Sequence, residues 1–416
     1  MNKIKVPSKL YLWSIGIISA NFFGLYNIVS KYTQIYYSDA IAILLIVVSC
    51  IFLLLHLPGN RLTIPKKRKV DRYAVIFLLW IVVEIFVSYI KYSSFQSIFS
   101  TIKESLCFIA PILVFYSLKK IITNSDRLDY FIDILVKISL ICSVLAIISL
   151  VVYTKTRINI LGLNIDDYSF MRNGRGHFMV GSMVVIPATI FLWCRVITGG
   201  YKISNVIILA LNIFHVFYIG QTRMYIAILS IVMLLSYLVV SKRSKIVKGI
   251  LVVLLLIILF IIGAQTVSEY VSELVGNNTV LYRLDGINYY MHQLIQHPVL
   301  GMGLIGTSNS SLSTLLYGPL LRYFRTDVGF VGFINCFGIF GGIWYLSYVY
   351  YCLRMTLKSR SIISIKLYEY IFSFGIFITL SSINLFPLDG YRLLFFSISM
   401  ILIYLIEINQ AIVSTT

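Results

Sequence analysis

Four short clusters of arginine, histidine, aspartate and glycine carry the chemistry open to this chain. The first is Arg172-Asn173-Gly174-Arg175-Gly176-His177. Its glycines let the backbone turn tightly and approach a ligand. Its arginines offer a planar five-donor fork that matches phosphate and carboxylate geometry and stays charged. The second is Gly220-Gln221-Thr222-Arg223, a tight turn between two apolar runs. The third spans 279–296, where Val280, Leu284, Ile287, Met291 and Leu294 recur at three- and four-residue spacing. This is an amphipathic helix pattern. At about 100° per residue, Arg283 flanks the apolar stripe beside Tyr290, and Asp285, His292 and Gln296 gather on the polar side. His297-Pro298 ends that helix, because the residue before a proline avoids helical geometry. Gly301-Met302-Gly303 follows as a flexible turn. The fourth is Arg322-Tyr323-Phe324-Arg325-Thr326-Asp327-Val328-Gly329. Asp327 there is either a helix N-cap or a base. Each cluster also has a plainer reading: arginines at the end of an apolar run can anchor it at headgroup level or snorkel to water.

The elements that must position these clusters are membrane spans. A soluble domain carries about 25% charged residues; this chain of 416 residues has 12%, against 59% hydrophobic. That excludes ordinary soluble folds, and the high hydrophobicity excludes disorder. A helix crossing the hydrocarbon core needs about 20 mostly apolar residues. The apolar runs predict twelve spans: 11–29, 39–57, 73–90, 105–118, 134–153, 178–196, 204–219, 224–240, 249–265, 328–352, 368–386 and 392–407. The fourth is short. The basic N-terminus ahead of the first run looks like a signal peptide, but its poor cleavage site and the spans that follow make it a retained first helix. No internal repeat, linker or domain boundary is visible, so residues 1–416 form one integral membrane domain, with a large outer loop over 266–327.

The net charge of +19 is mostly topology. With both termini cytoplasmic, the inner loops hold 14 lysines and 8 arginines, and the outer loops 4 lysines and 8 arginines. This satisfies the positive-inside rule. Topology does not need arginine, so an arginine-rich outer face points to an anionic ligand there rather than to nucleic acid. The six cysteines lie in or beside apolar runs without a C-x-x-C pair, so neither disulfides nor zinc are expected. One acid, Glu84, falls mid-span, either as a proton relay or as an interhelical partner. Lys137 can snorkel, and His215 should hydrogen-bond across helices.

The order of these features resembles the O-antigen polymerase and O-antigen ligase superfamily of bacterial envelope glycosyltransferases. An outer R-N-G-R-G-H precedes a span, and a T-R turn opens the next pair of helices. Then come Y-R-L-D-G-I-N-Y-Y-M-H-Q-L-I-Q-H-P-V-L-G-M-G-L-I-G and T-D-V-G-F-V-G-F-I-N-C-F-G-I-F-G-G. The similarity covers roughly 165–350 and is strongest at H-P-V-L-G-M-G.

The resemblance implies an all-α polytopic membrane fold of the C-type glycosyltransferase kind, with an interfacial helix in its extracytoplasmic loop. It implies a glycan donor on a polyprenyl diphosphate at the outer face of the cytoplasmic membrane. Arg223 and Arg283 would hold the diphosphate, joined by Arg172 and Arg175. His177, Arg322 and Arg325 would contact acceptor or glycan. Ligases place a histidine where this chain has Thr326-Asp327, so the form is closer to the polymerase branch. The base candidates are Asp327 first, then His297 and His292. No metal and no cofactor are required. The partners implied are polyprenyl-diphosphate-linked oligosaccharides, the lipid bilayer, a flippase and chain-length regulator proteins. Two other readings stand beside the polymerase. One is a ligase-type glycan transferase; the other is a lipid-linked oligosaccharide transporter, which would concentrate polar residues at the midplane and show repeats.

Overall fold

The computed structural model describes residues 6–21, 37–56, 68–158, 171–172, 175–176, 181–198, 202–220, 222–240, 279–306, 309–319, 321–383, 386, 388–390 and 392–413. Among them the regular elements are helices, apart from one pair of two-residue strands. In order, the helices are α1 (Val6–Ala20), α2 (Tyr37–Leu55), α3 (Lys69–Tyr92), α4 (Ile98–Ile121) and α5 (Ser125–Thr156). Strands β1 (Met171–Arg172) and β2 (Arg175–Gly176) come next. Then follow α6 (Ser182–Ile197), α7 (Ile203–Phe214, continued by a π-turn His215–Ile219), α8 (Arg223–Val240), α9 (Thr279–Gln296) and α10 (Ser310–Tyr317). A 3-10 turn (Arg325–Asp327) leads into α11 (Phe330–Ser359), α12 (Ile365–Ser381) and α13 (Leu393–Val413).

Five of these, α3, α4, α5, α11 and α13, are long and apolar enough to cross a membrane, and α2, α6, α7 and α8 are shorter apolar helices. Eleven of the twelve predicted runs carry helix; 249–265 lies outside the described residues, as do 266–278, 307–308 and 320 of the large loop over 266–327. α3 and α11 leave Ile76, Leu79, Val83, Phe86, Phe340, Ile343 and Leu346 exposed. Continuous exposed apolar faces of this kind mark a lipid-facing surface. α13 is different: every residue from Leu393 to Glu407 is buried, so it forms the centre of the bundle. The chain is therefore a multi-pass membrane protein.

Charge pairs sort the helix ends. At one end Lys119 pairs with Asp71 at 2.5 Å, Arg195 with Asp133 at 2.6 Å and Lys366 with Asp129 at 2.7 Å. Glu407 accepts from the Val70 amide at 3.1 Å, and Lys9 lies over the Tyr130 ring. Asp39, Glu104, Arg325 and Asp389 meet at the other end. The residues assigned to cytoplasmic loops from sequence thus share one end, and those assigned to outer loops share the opposite one.

Several span boundaries differ from expectation, and two of the helix starts show why. The fourth span is not short: α4 is 24 residues long, starting at a Ser97 N-cap that accepts from the Ser100 amide. Its first two turns include Ser100, Thr101, Lys103 and Glu104, which an apolar window reads as loop. α5 likewise begins at Ser125, capped by Asn124. His215 behaves as expected: its ring nitrogen meets Ser143 at 3.2 Å, while Ser143 donates to Asn212 at 2.8 Å across helices. All six cysteines are free thiols.

Candidate active site

The 297–306 segment is the centre of the site. It follows α9, and its residues 301–306 are all buried although none is helical. Irregular backbone at membrane depth persists only where protein satisfies its polar groups, and here the partners can be named. α11 breaks at Gly338 (φ 65°, ψ −169°), and the segment fills the break. The Met302 and Gly303 amides donate to the carbonyls of Asn335 (2.7 Å) and Cys336 (2.9 Å), and the Ile339 amide donates to Pro298 (2.9 Å). From the other side the Leu304 amide donates to Ser88 Oγ (2.8 Å), Tyr92 OH donates to the Met302 carbonyl (2.8 Å), and Gln96 holds both the Gly306 amide and the Leu304 carbonyl. A Cβ on Gly338 would lie 2.0 Å from the Val299 carbonyl oxygen, so the close approach requires glycine.

α9 packs over this segment, but not with the face its apolar stripe suggests. Gly286, Tyr290, Gln293 and Leu294 are buried, whereas Leu284, Met291 and Ile295 are exposed. Polar Gln293 goes inside because it donates to the Leu315 carbonyl and accepts from Asn335 Nδ2, which also reaches the Tyr290 carbonyl (3.0 Å each for Asn335). Asn335 therefore ties α9, α11 and, through its own carbonyl, the irregular segment.

Beside the segment opens a cleft of about 330 Å³. Its walls include Leu304 and Ile305 from the segment, Tyr317 and Phe324, Arg325 and Thr326 from the turn before α11, and Phe333 and Cys336 from α11. Asp39 from the first turn of α2, Glu104 from α4, and Phe386 and Asp389 from the α12–α13 connection complete it. Apolar and aromatic walls with a few converging polar groups are the usual make-up of a small-molecule site. Arg325 Nη1 donates to the Gly303 carbonyl at 3.0 Å, while Nε and Nη2 are buried without an acceptor. Buried donors left unmade cost roughly 1–3 kcal/mol each, so this guanidinium has donors open to a further acceptor. Asp39 pairs with Lys103 at 3.2 Å, and Asp389 pairs closely with Arg392, which also donates to Tyr225 OH at 2.8 Å.

The predicted residues fall in different places. Arg325 lines the cleft, and Thr326 with it. Arg223 is the first residue of α8, two positions before Tyr225, so the Tyr225–Arg392–Asp389 chain connects its turn to the cleft. Arg322 is exposed and donates to Tyr282 OH at 2.9 Å, next to the exposed Arg283. The β1–β2 register pairs Arg172 with Arg175 across the ladder, and His177 lies outside the described residues. The capping reading of Asp327 is corrected: α11 is capped by Gly329 with no side-chain bond, because the 3-10 turn sets Asp327 two residues too early. Asp327, His292 and His297 are all exposed and none lines the cleft. Burial, then the nearby Lys91 charge, holds His297 below its ordinary pKa. Glu84 lies under Gly303, fully buried, with neither carboxylate oxygen hydrogen-bonded among the described residues.

Sequence reasoning missed Glu104, Asp389 and Asn335 as site residues. Glu104 and Asp389 were legible as outer-loop acids, but nothing local said they would converge; Asn335 carried no signal inside an apolar run. Among the described residues no three His, Cys, Asp or Glu side chains gather closely enough to hold a metal ion. No family model matches the chain, and no curated protein matches it closely enough to be called a relative.

Proposed function

We propose that the chain is a polysaccharide polymerase of the cytoplasmic membrane, both termini cytoplasmic, transferring a polyprenyl-diphosphate-linked glycan onto a second lipid-linked repeat unit at the outer face. The observation that carries this is Arg325. It immediately precedes the Thr326-Asp327-Val328-Gly329 motif, lines an aromatic cleft and leaves two buried donors without an acceptor among the described residues. Its contact to Gly303 fastens the residue ahead of one matched stretch to the H-P-V-L-G-M-G stretch.

The chemistry follows from those groups. A departing diphosphate gains negative charge, and preorganised guanidinium donors in a partly dry site stabilise it. Arg325 supplies such donors in the cleft; Arg223, Arg283, Arg172 and Arg175 are the further diphosphate contacts that the family resemblance implies. The exposed apolar residues of α9 suit a helix lying at the membrane surface, where lipid phosphates are. Aromatic walls suit the faces of sugar rings, and carboxylates accept hydrogen bonds from their hydroxyls. The polar groups that converge on a cleft, Asp39, Glu104, Arg325 and Asp389, lie at one end of the bundle, which favours an enzyme over a transporter.

The deciding experiment incubates the purified protein with the lipid-linked repeat unit extracted from cells that lack it. A ladder of products supports the polymerase. Transfer onto a different lipid acceptor without a ladder replaces it by a ligase-type transferase, and movement of the substrate across a vesicle without new bonds replaces it by a transporter. In the first case Arg283→Ala and Arg223→Ala should abolish the ladder while the protein stays in the membrane.

A further inference from the structure

Transfer of a glycan to a hydroxyl needs a general base within hydrogen-bond reach of the acceptor. The three residues the sequence offered, Asp327, His297 and His292, are exposed and lie off the cleft. Three carboxylates do line it, and their surroundings separate them. Asp39 is held by Lys103 at 3.2 Å, and Asp389 is held by Arg392, itself anchored on Tyr225. A carboxylate committed to an ion pair must break that pair to accept a proton. Glu104 is the third. It is half-buried in the second turn of α4, and it forms no salt bridge and no side-chain hydrogen bond with the described residues.

We infer that Glu104 is the acceptor-activating base of this cleft, an assignment that rests on the polymerase reading above. α4 holds it rigidly. Ser97 caps the helix three residues before Ser100, and Gln96 clamps the loop ahead of it onto Gly306 and Leu304. The carboxylate therefore sits on the same scaffold as the irregular segment that Arg325 grips. In the transfer, the acceptor hydroxyl oxygen bonds to the anomeric carbon of the donor, and its proton passes to the Glu104 carboxylate. The bond from the anomeric carbon to the diphosphate oxygen breaks, and the lipid diphosphate leaves with the electron pair, facing the Arg325 guanidinium. No oxidant, reductant or metal enters the balance. Asp39 and Asp389, each neutralised by its cation, are left to accept hydrogen bonds from sugar hydroxyls.

The test uses full-length protein in nanodiscs with the extracted lipid-linked repeat unit, following initial rates against donor and acceptor concentration. Glu104→Gln keeps the shape and removes the base. It should lower kcat about 10²-fold or more and leave the donor KM within about threefold. Glu104→Asp should recover part of that loss, and Asp327→Asn, His292→Gln and His297→Gln should each keep kcat within a few-fold of the parent. Thermal melting of each variant separates lost chemistry from lost fold, and Glu104→Asp serves where Glu104→Gln fails to fold. A parent protein that makes a ladder while Glu104→Gln makes it at the same rate overturns the assignment of the base and leaves the polymerase reading standing. The same holds if Asp327→Asn alone loses kcat. A parent protein that makes no ladder overturns the polymerase reading and the assignment with it.

Discussion

Arg325 Nη1 donates to the carbonyl oxygen of Gly303 at 3.0 Å, which fastens the turn ahead of α11 to the irregular segment that follows α9. The contact brings a basic and a glycine-rich stretch of the outer loops to one cleft wall. It uses one arm of the guanidinium and leaves the other donors for a ligand.

Arg325→Ala should remove polymer formation, and Arg325→Lys should not restore it. Lysine can reach one acceptor but cannot hold Gly303 and a phosphate in a fixed fork. Loss of one preorganised donor of this kind costs about 10²–10³ in kcat. Rates on the lipid-linked repeat unit check this; a lysine variant at the parent rate would show that a point charge is enough.

Gly338→Ala should destabilise the protein by at least about 2 kcal/mol, from the left-handed backbone and the forced shift of a packed neighbour. The added Cβ meets the Val299 carbonyl at 2.0 Å and the Gly301 amide at 2.7 Å. Thermal unfolding in detergent measures it. Gly375→Ala serves as the control, because its Cβ would meet Thr356 at an ordinary 3.5 Å; equal melting of the two would refute the tight fit.

Asn335→Ala should lower stability by about 1–3 kcal/mol, the cost of leaving buried acceptors unpaired. It removes the donor to Gln293 Oε1 and the second donor to the Tyr290 carbonyl. Helix content by circular dichroism should hardly change, while proteolysis within 297–306 should speed up as the segment loosens. Unchanged cleavage would mean that the segment is held without this side chain.

His297 predicts a small pH effect with a definite sign. Burial and Lys91 lower its pKa in the folded protein. The unfolded chain therefore takes up the proton first as pH falls, and stability is complete above about 6.5 and declines below it. The fall in melting temperature between pH 7 and pH 5 should be shallower in His297→Gln. Identical slopes would mean that other groups carry the whole pH dependence.

Sequence by itself determined the elements. Apolar runs of membrane length became helices, the 279–296 periodicity became α9 with the same bounds, and His297-Pro298 ended it. The alternation of spans placed the named acids and bases at two opposite helix ends. These are local or additive properties, readable from spacing and composition. What the tertiary structure alone decided is convergence. Glu104, Asp39, Asp389 and Arg325 come from four distant parts of the chain, and no periodicity links them. Which face of α9 packs was also decided there, because Gln293 and Asn335 satisfy each other across helices and so outweigh the apolar stripe. The break in α11 is the clearest case. The run 328–352 reads as one continuous span, yet Gly338 opens it so that the carbonyls of Asn335 and Cys336 can satisfy a segment from elsewhere in the chain. Buried backbone must find partners, and which partners it finds is settled only when the elements pack.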